Sequence, residues 1–202
     1  MTKKDIKVFF KAIADSDFNK VSELLNSNKE YLTVCNVSPP KKDDGQSGLQ
    51  VAFKTGDFDI AKLLIDQGAD INFIETSEIN EWTAPVLHDS IRATIFNSYT
   101  VQKDTGKFDK AFSLLQLMLD KGANPNSTDS YGNNCLHRAI MDSRQMIDNP
   151  SADLTNGVLL KQLRRIFAEL ITAGADINLT NEKRPSAASM ITNFRLEQHQ
   201  LW

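Results

Sequence analysis

Three histidines, two cysteines and nine glycines are the residues in this chain whose chemistry could be read first. His88 and His137 invite a metal or general-base assignment, since imidazole is the commonest metal ligand and a base poised near neutral pH. Neither has a companion at ligand spacing. No His-x-x-x-His, no Cys-x-x-Cys and no acidic cluster accompanies them, and His199 stands in a polar tail. Cys35 and Cys135 are isolated and far apart, which reads as buried thiols in a reducing, cytoplasmic setting rather than as a disulfide framework. The glycines form neither a Gly-x-x-x-x-Gly-Lys nor a Gly-x-Gly-x-x-Gly run, and no nucleophile elbow surrounds a Ser or Cys. The expectation is a chain without catalytic residues, metal or cofactor.

Charge and hydropathy narrow the class further. Across 202 residues, 41% are hydrophobic and 24% charged, enough for a buried core. A net charge of −3 gives no field to hold a polyanion, so a nucleic-acid partner is not expected. No window reaches the ~18 apolar residues of a membrane span, and Ile6 to Ile13, interrupted by Lys7 and Lys11, is too short for a secretory segment. Lys161, Arg164 and Arg165 read as one solvated helical face, and Lys41-Lys42-Asp43-Asp44 cancels its own charge.

The elements that would position these residues repeat. Gly68-Ala69-Asp70-Ile71-Asn72 returns as Gly122-Ala123-Asn124-Pro125-Asn126 and as Gly174-Ala175-Asp176-Ile177-Asn178, at intervals of 54 and 52 residues. An apolar helical stretch precedes each copy: Ile60 to Ile65, Leu114 to Leu119 and Ile166 to Ile171. Glycine one step beyond a helix accepts the left-handed conformation that closes it, where a Cβ is penalised. After the turn, Asp129-Ser130-Tyr131-Gly132-Asn133-Asn134-Cys135-Leu136-His137-Arg138-Ala139 opens a second helix. Gly45-Gln46-Ser47-Gly48-Leu49-Gln50-Val51-Ala52 follows the same register, with Gln50 in place of the histidine. Pro85 to Ser90 is a looser copy, and Arg184 to Ile191 is a terminal one.

These segments resemble ankyrin repeats, whose first helix opens on Thr-Pro-Leu-His-x-Ala. The resemblance covers nearly the whole chain and runs without a gap from Gly122 to His137. It implies an all-α single domain over residues 1–202, an ankyrin-repeat solenoid of stacked helix pairs with short β-turn fingers. Five units are expected: an N-terminal cap at 5–36, repeats at 43–75, 80–128 and 129–180, and a C-terminal cap at 181–202 with little second helix. In this family the motif histidine bonds backbone and turn groups, which is the role implied for His88 and His137. An ordinary unit is about 33 residues, so repeats three and four each carry about twenty extra. Those additions are either tolerated surface connections or a second binding rim.

Ankyrin proteins bind other proteins on the side formed by the fingers and the first helices. Carried over by register, that side comprises Asp43, Asp44, Gln46, Lys54 and Thr55 in repeat two. In repeat four it comprises Ser130, Tyr131, Asn133, Met141 and Asp142, and in the last unit Glu182, Lys183 and Pro185. The long finger of repeat three adds Phe73, Ile74, Ile79 and Trp82. Trp82 is read either as an interface anchor or as a residue folded over its own finger. The expected function is a non-catalytic protein-binding module acting as adaptor, inhibitor or sequestering partner, with a monomer favoured over a homo-oligomer. One alternative is assembly through the incomplete C-terminal unit, by Phe194, Leu196, Leu201 and Trp202. Another is a specific inhibitor or immunity-type protein for an enzyme.

Overall fold

The computed structural model describes residues 1–37, 41–100 and 103–202. They form helices in antiparallel pairs, with no extended strand among the described residues: α1 (Lys3–Ala14) and α2 (Phe18–Ser27), α3 (Gly48–Thr55) and α4 (Phe58–Asp66), α5 (Val86–Phe96) and α6 (Gly106–Asp120), α7 (Cys135–Ile147) and α8 (Val158–Thr172), and a final α9 (Ala187–Asn193). A 3-10 turn at Glu197–His199 stands where α9 would have a partner. The described residues group into two compact units, Met1–Asp89 and Ser90–Trp202, with the boundary inside α5.

Each recurrent glycine closes a helix in the same way. The amide of Gly68 donates to the carbonyl of Ile65, and that of Ala69 to Leu64. Gly122 and Ala123 repeat this on Leu119 and Met118, as do Gly174 and Ala175 on Ile171 and Leu170. These paired bonds satisfy carbonyls that a helix end leaves open, and they require φ values of 94°, 92° and 96° at the three glycines. The residue two further on completes the turn: Asp70, Asn124 and Asp176 each accept the backbone amide of the Asn two positions later, at 2.9, 3.0 and 2.8 Å. The repeated Gly-Ala-Asp/Asn-x-Asn string is thus a helix stop followed by a side-chain-closed turn.

In the first unit the core gathers Phe9, Ile13, Leu25, Leu49, Ile60 and Leu64, all at most 1% exposed, with Tyr31 laid against Phe9 at 4.9 Å between ring centres. In the second, Ile91, Ile95, Phe108, Leu115, Met118, Leu163, Phe167 and Leu170 are fully buried. Leu63, within the apolar stretch Ile60 to Ile65, is only half-buried on α4, since the stripe turns its neighbours Leu64 and Ile60 inward instead.

The cationic cluster of α8 is exposed, as its spacing predicts, and two of its members also bond other elements. Arg164 donates to the carbonyls of Gln200 and His199 at 2.9 and 2.8 Å. Arg165 pairs with Asp109 at 3.1 Å and lies over the Phe112 ring at 4.4 Å. The two guanidiniums tie α8 to the C-terminal segment and to α6. The terminal apolar residues also close on the chain: Leu196 and Leu201 are 2% and 3% exposed, Phe194 lies under Arg144, and Trp202 packs 5.4 Å from Phe167.

In repeat four α7 runs on to Ile147, and buried Asp142, Ser143 and Ile147 give its last turns an inner face. The additions of repeats three and four meet. Tyr99 donates its amide to Gln162 at 2.7 Å, and the Lys103 ammonium reaches the Ser151 carbonyl at 2.9 Å.

Leu170→Ala is expected to lower stability by about 2–5 kcal/mol through lost burial and the cavity left behind. Leu63→Ala, half in solvent, should lose about 1 kcal/mol. Urea denaturation of both variants compares the two positions directly.

Candidate functional site

The first helices α3 and α7 each begin with a capping box whose third-position side chain also reaches the segment ahead of the following first helix. In α7 the Asn134 side chain accepts the amides of Leu136 and His137, and the His137 Nδ1 accepts the Asn134 amide at 3.2 Å. With Nδ1 as acceptor, Nε2 carries the proton and donates to the Pro185 carbonyl at 2.7 Å, ahead of α9. Burial, more than any charge, pushes this imidazole below its usual value, consistent with the neutral form. Gln50 does the same work in α3. Its Oε1 accepts the Ser47 amide at 3.1 Å, while its Nε2 donates to the Ala84 carbonyl at 3.3 Å and to Asp89 at 2.9 Å. His88 is buried at the matching position of α5. His137 is thus a polar connector between its own helix cap and the segment ahead of α9.

In the first unit, the finger from 73 to 86 is a narrow loop closed by Glu75 to Ala84 and Val86 to Phe73 backbone bonds. It is laid on the preceding finger: Thr76 donates to the Gly45 carbonyl, Ser77 to Asp44, and Asn80 to the Lys41 carbonyl. A Cβ on Gly45, whose φ is 76°, would stand 2.2 Å from the Ser77 nitrogen, so only glycine fits there. Beneath, Lys54 binds Asp43 at 2.7 Å and Gln46 at 3.0 Å, and Gln46 donates to Glu75 at 2.9 Å. Burial raises the Glu75 carboxyl above its ordinary range; Gln46 and Lys54 pull the other way.

In the second unit, the turn ahead of α7 is held by Asp129, which accepts the amides of Tyr131 and Asn133 and the Asn133 side chain. The next turn locks onto it. Lys183 donates to the Ser130 carbonyl and Arg184 to that of Tyr131, at 2.8 and 3.1 Å. Further along α7, Arg138 donates to Asp142 at 2.6 Å, where burial again raises the carboxyl and Arg138 and Arg92 oppose it.

These bonds sort the residues expected to meet a partner. Gln46, Asn133 and Asp142 are 1%, 3% and 0% exposed, and each is bonded within its own unit. They brace the turns and helices from behind and offer no contact surface. Asp43 and Asp44 are half-buried and tied to Lys54 and Ser77, Thr55 returns its hydroxyl to the Ala52 carbonyl, and Ser130, Met141 and Phe73 are half-buried. Glu182, Lys183 and Pro185 are exposed. Tyr131, Ile74 and Ile79 are exposed at 46%, 44% and 56%, whereas Trp82 is half-buried. Arg92, Phe96 and Arg138 were not selected by register; their i, i+4 spacing along α5 and α7 was the available signal.

Cys135 is fully buried, which pushes its thiol far above the ordinary range, and Cys35 is half-buried rather than enclosed, accepting a contact from Thr76 at 3.6 Å. Among the described residues no group of three metal-ligating side chains converges, and no helix is long and apolar enough to cross a membrane.

The family description Ankyrin repeat matches residues 44–75, the unit built on α3 and α4. Residues 44–75 are thus an ankyrin repeat. The chain is 29% identical over 133 residues, 66% of its own length, to the ankyrin repeat protein L371 of Acanthamoeba polyphaga mimivirus, and spans 14% of that protein. Among solved structures, a chain in the complex of the predatory endopeptidase Bd0816 from Bdellovibrio bacteriovorus with immunity protein Bd3460 matches at a TM-score of 0.48 and 16% identity, over 96% of both chains.

Two measurements follow from the bridging and buried side chains. His137→Ala should lower stability by about 1–3 kcal/mol, because it orphans buried partners, and His137→Gln should restore most of that loss by bonding as Gln50 does. The raised Glu75 carboxyl binds its proton more tightly folded than unfolded. Its contribution to stability is therefore complete below the ordinary value of 4.5 and is lost as pH rises through the raised native value. Glu75→Gln should remove that loss, so pH-dependent melting curves of variant and wild type should converge in acid and separate above it, with the variant the more stable.

Proposed function

We propose that this ankyrin-repeat protein is a non-catalytic module that binds a protein partner through the tips of its fingers and the exposed edges of its first helices. The observation that carries this reading is the state of the finger tips. Tyr131, Ile74 and Ile79 hold large apolar side chains in solvent at 46%, 44% and 56% exposure, on backbones fixed by hydrogen bonds at the base of each turn. Exposed apolar groups on a preorganised backbone lose little conformational freedom on binding, and aromatic residues dominate interface energetics. Repeats of this family generally mediate protein–protein binding, which agrees with that chemistry. Trp82, half-buried, is a weaker anchor in this reading than Tyr131. For pairing between copies, the C-terminal unit leaves Trp202 as its large exposed group, since Leu196 and Leu201 are already covered.

Affinity capture from the source cells, followed by titration of the captured partner, tests the proposal. Tyr131→Ala is expected to weaken binding by about 2 kcal/mol or more, and Ile79→Ala by a smaller amount. If the intact chain retains no protein, or if both variants bind their partner like the wild type, the reading is wrong.

A further inference from the structure

The turns around Tyr131 in the second unit hold two cations that no carboxylate neutralises. Lys183 donates to the Ser130 carbonyl at 2.8 Å, and Arg184 donates through Nε to the Tyr131 carbonyl at 3.1 Å. Two adjacent positive charges thus grip successive peptide groups of one turn. The fit between the two turns is close. Asn181 donates to the Gly132 carbonyl at 2.8 Å, and a Cβ on Gly132, whose φ is 82°, would stand 2.6 Å from Asn181 Oδ1 and 3.0 Å from the Lys183 Cβ. The carbonyls that hold the two cations are neutral, and among the described residues neither Lys183 nor Arg184 forms an ion pair. Two acidic groups belong to these turns. Asp129 is buried and bonded to the amides of Tyr131 and Asn133 and to the Asn133 side chain, while Glu182 is exposed and pairs with neither cation. Lys183 is exposed, Arg184 is half-buried, and the Tyr131 side chain beside them is 46% exposed.

We propose that these turns dock an acidic segment of a protein partner, whose Asp or Glu carboxylates meet Lys183 and Arg184 while an adjoining apolar residue lies on Tyr131. This rests on the protein-binding reading above and names the chemistry of the partner. Charge complementarity selects the anion, because both cations lack a counter-ion. Their bonds to the turn also restrain them before any partner arrives, so little side-chain freedom remains to be lost on binding. Each keeps donors for the purpose: Lys183 has three hydrogens on its ammonium, and Arg184 uses only Nε of a guanidinium that carries five. Charge-assisted bonds from such groups to a carboxylate are stronger than their present bonds to neutral carbonyls. A nucleic acid is the poorer fit. It calls for a run of cations along a stripe, whereas here two cations stand between an acidic residue, Glu182, and an aromatic one.

The test uses the intact chain and fluorescence anisotropy with three labelled probes: a peptide of alternating Glu and Leu, its Gln-for-Glu counterpart, and a single-stranded oligothymidylate. The acidic peptide should bind more tightly than the glutamine one and lose affinity as salt rises. Glutamine at 183 or 184 keeps a donor for the carbonyl and removes only the charge. Lys183→Gln should therefore weaken the acidic peptide about fivefold, and Lys183→Gln with Arg184→Gln about tenfold or more, with the glutamine peptide unchanged and the fold intact by circular dichroism. Lys161→Gln, at an exposed lysine on α8, should leave all three probes unaffected. Tyr131→Ala should weaken both peptides. Equal binding of the two peptides, binding of neither, indifference of the acidic peptide to the double variant, an equal loss with Lys161→Gln, or tighter binding of the oligonucleotide that the double variant abolishes would each overturn the proposal. The protein-binding reading is judged separately, by whether Tyr131→Ala weakens a captured partner, so either can fail while the other stands.

Discussion

A single polar side chain at the third position of the first helix does two things on which the ankyrin architecture of this protein depends. It accepts the amide of its own helix cap, and it donates to a carbonyl of the next unit. His137 bonds Asn134 and Pro185; Gln50 bonds Ser47 and Ala84. Both are almost completely buried, and an unpaired polar group there would cost about 1–3 kcal/mol. The penalty acts as a register mark. A neighbouring unit displaced by one residue would leave the donor facing carbon, so each unit is held at one setting relative to the next within its compact half. The requirement is for an acceptor and a donor on a short side chain, which is why glutamine can stand in for histidine, and why neither position needs to titrate.

From that fixed spacing the fingers inherit their rigidity. Asp129 gathers three donors from the turn above it, and Lys183 and Arg184 then bond the outer carbonyls of that turn. In the first unit the chain from Asp43 through Lys54 and Gln46 to Glu75 plays the same part. Buried charge is tolerated in both places because it is bonded, although Glu75 and Asp142 each retain a carboxylate oxygen without a partner and have their protonated forms favoured by burial. Among the groups that reach solvent on this scaffold are Ile74, Ile79 and Tyr131 at the fingers, and Phe96 and Arg92 on α5. A binding surface of this kind gains its selectivity from the stiffness of its base, since little ordering remains to be done on association.

The enlarged repeats show how additional chain is accommodated without loosening the fold. Rather than hanging as free loops, the additions lengthen α7 and create ties between connections, Tyr99 to Gln162 and Lys103 to Ser151. Arg165 on α8 spans to Asp109 and stacks on Phe112 of α6, and Arg164 holds the C-terminal segment. Guanidinium suits these tasks, because it bonds through its edge while its face lies on an aromatic ring.

The recurrent Gly-Ala-Asp/Asn-x-Asn string was sufficient to place three helix ends, because helix closure and the following turn use only local atoms: a positive φ at glycine and a side chain two residues from its amide. The helix pairs, the second-unit cap without a second helix and the structural part played by His137 were legible for the same reason. The fate of the polar residues was not. Sequence register put Gln46, Asn133 and Asp142 on the binding side, yet each turns inward: Gln46 to Glu75 of a distant segment, Asn133 to Asp129 of its own turn, and Asp142 to Arg138 one turn back on α7. The bonds that the exposed α8 cations make were not legible either, since spacing along one helix says nothing of the carbonyls and rings that another element brings to it. Local backbone geometry was thus determined by the sequence alone; which polar groups face solvent was decided only when packing distributed the partners.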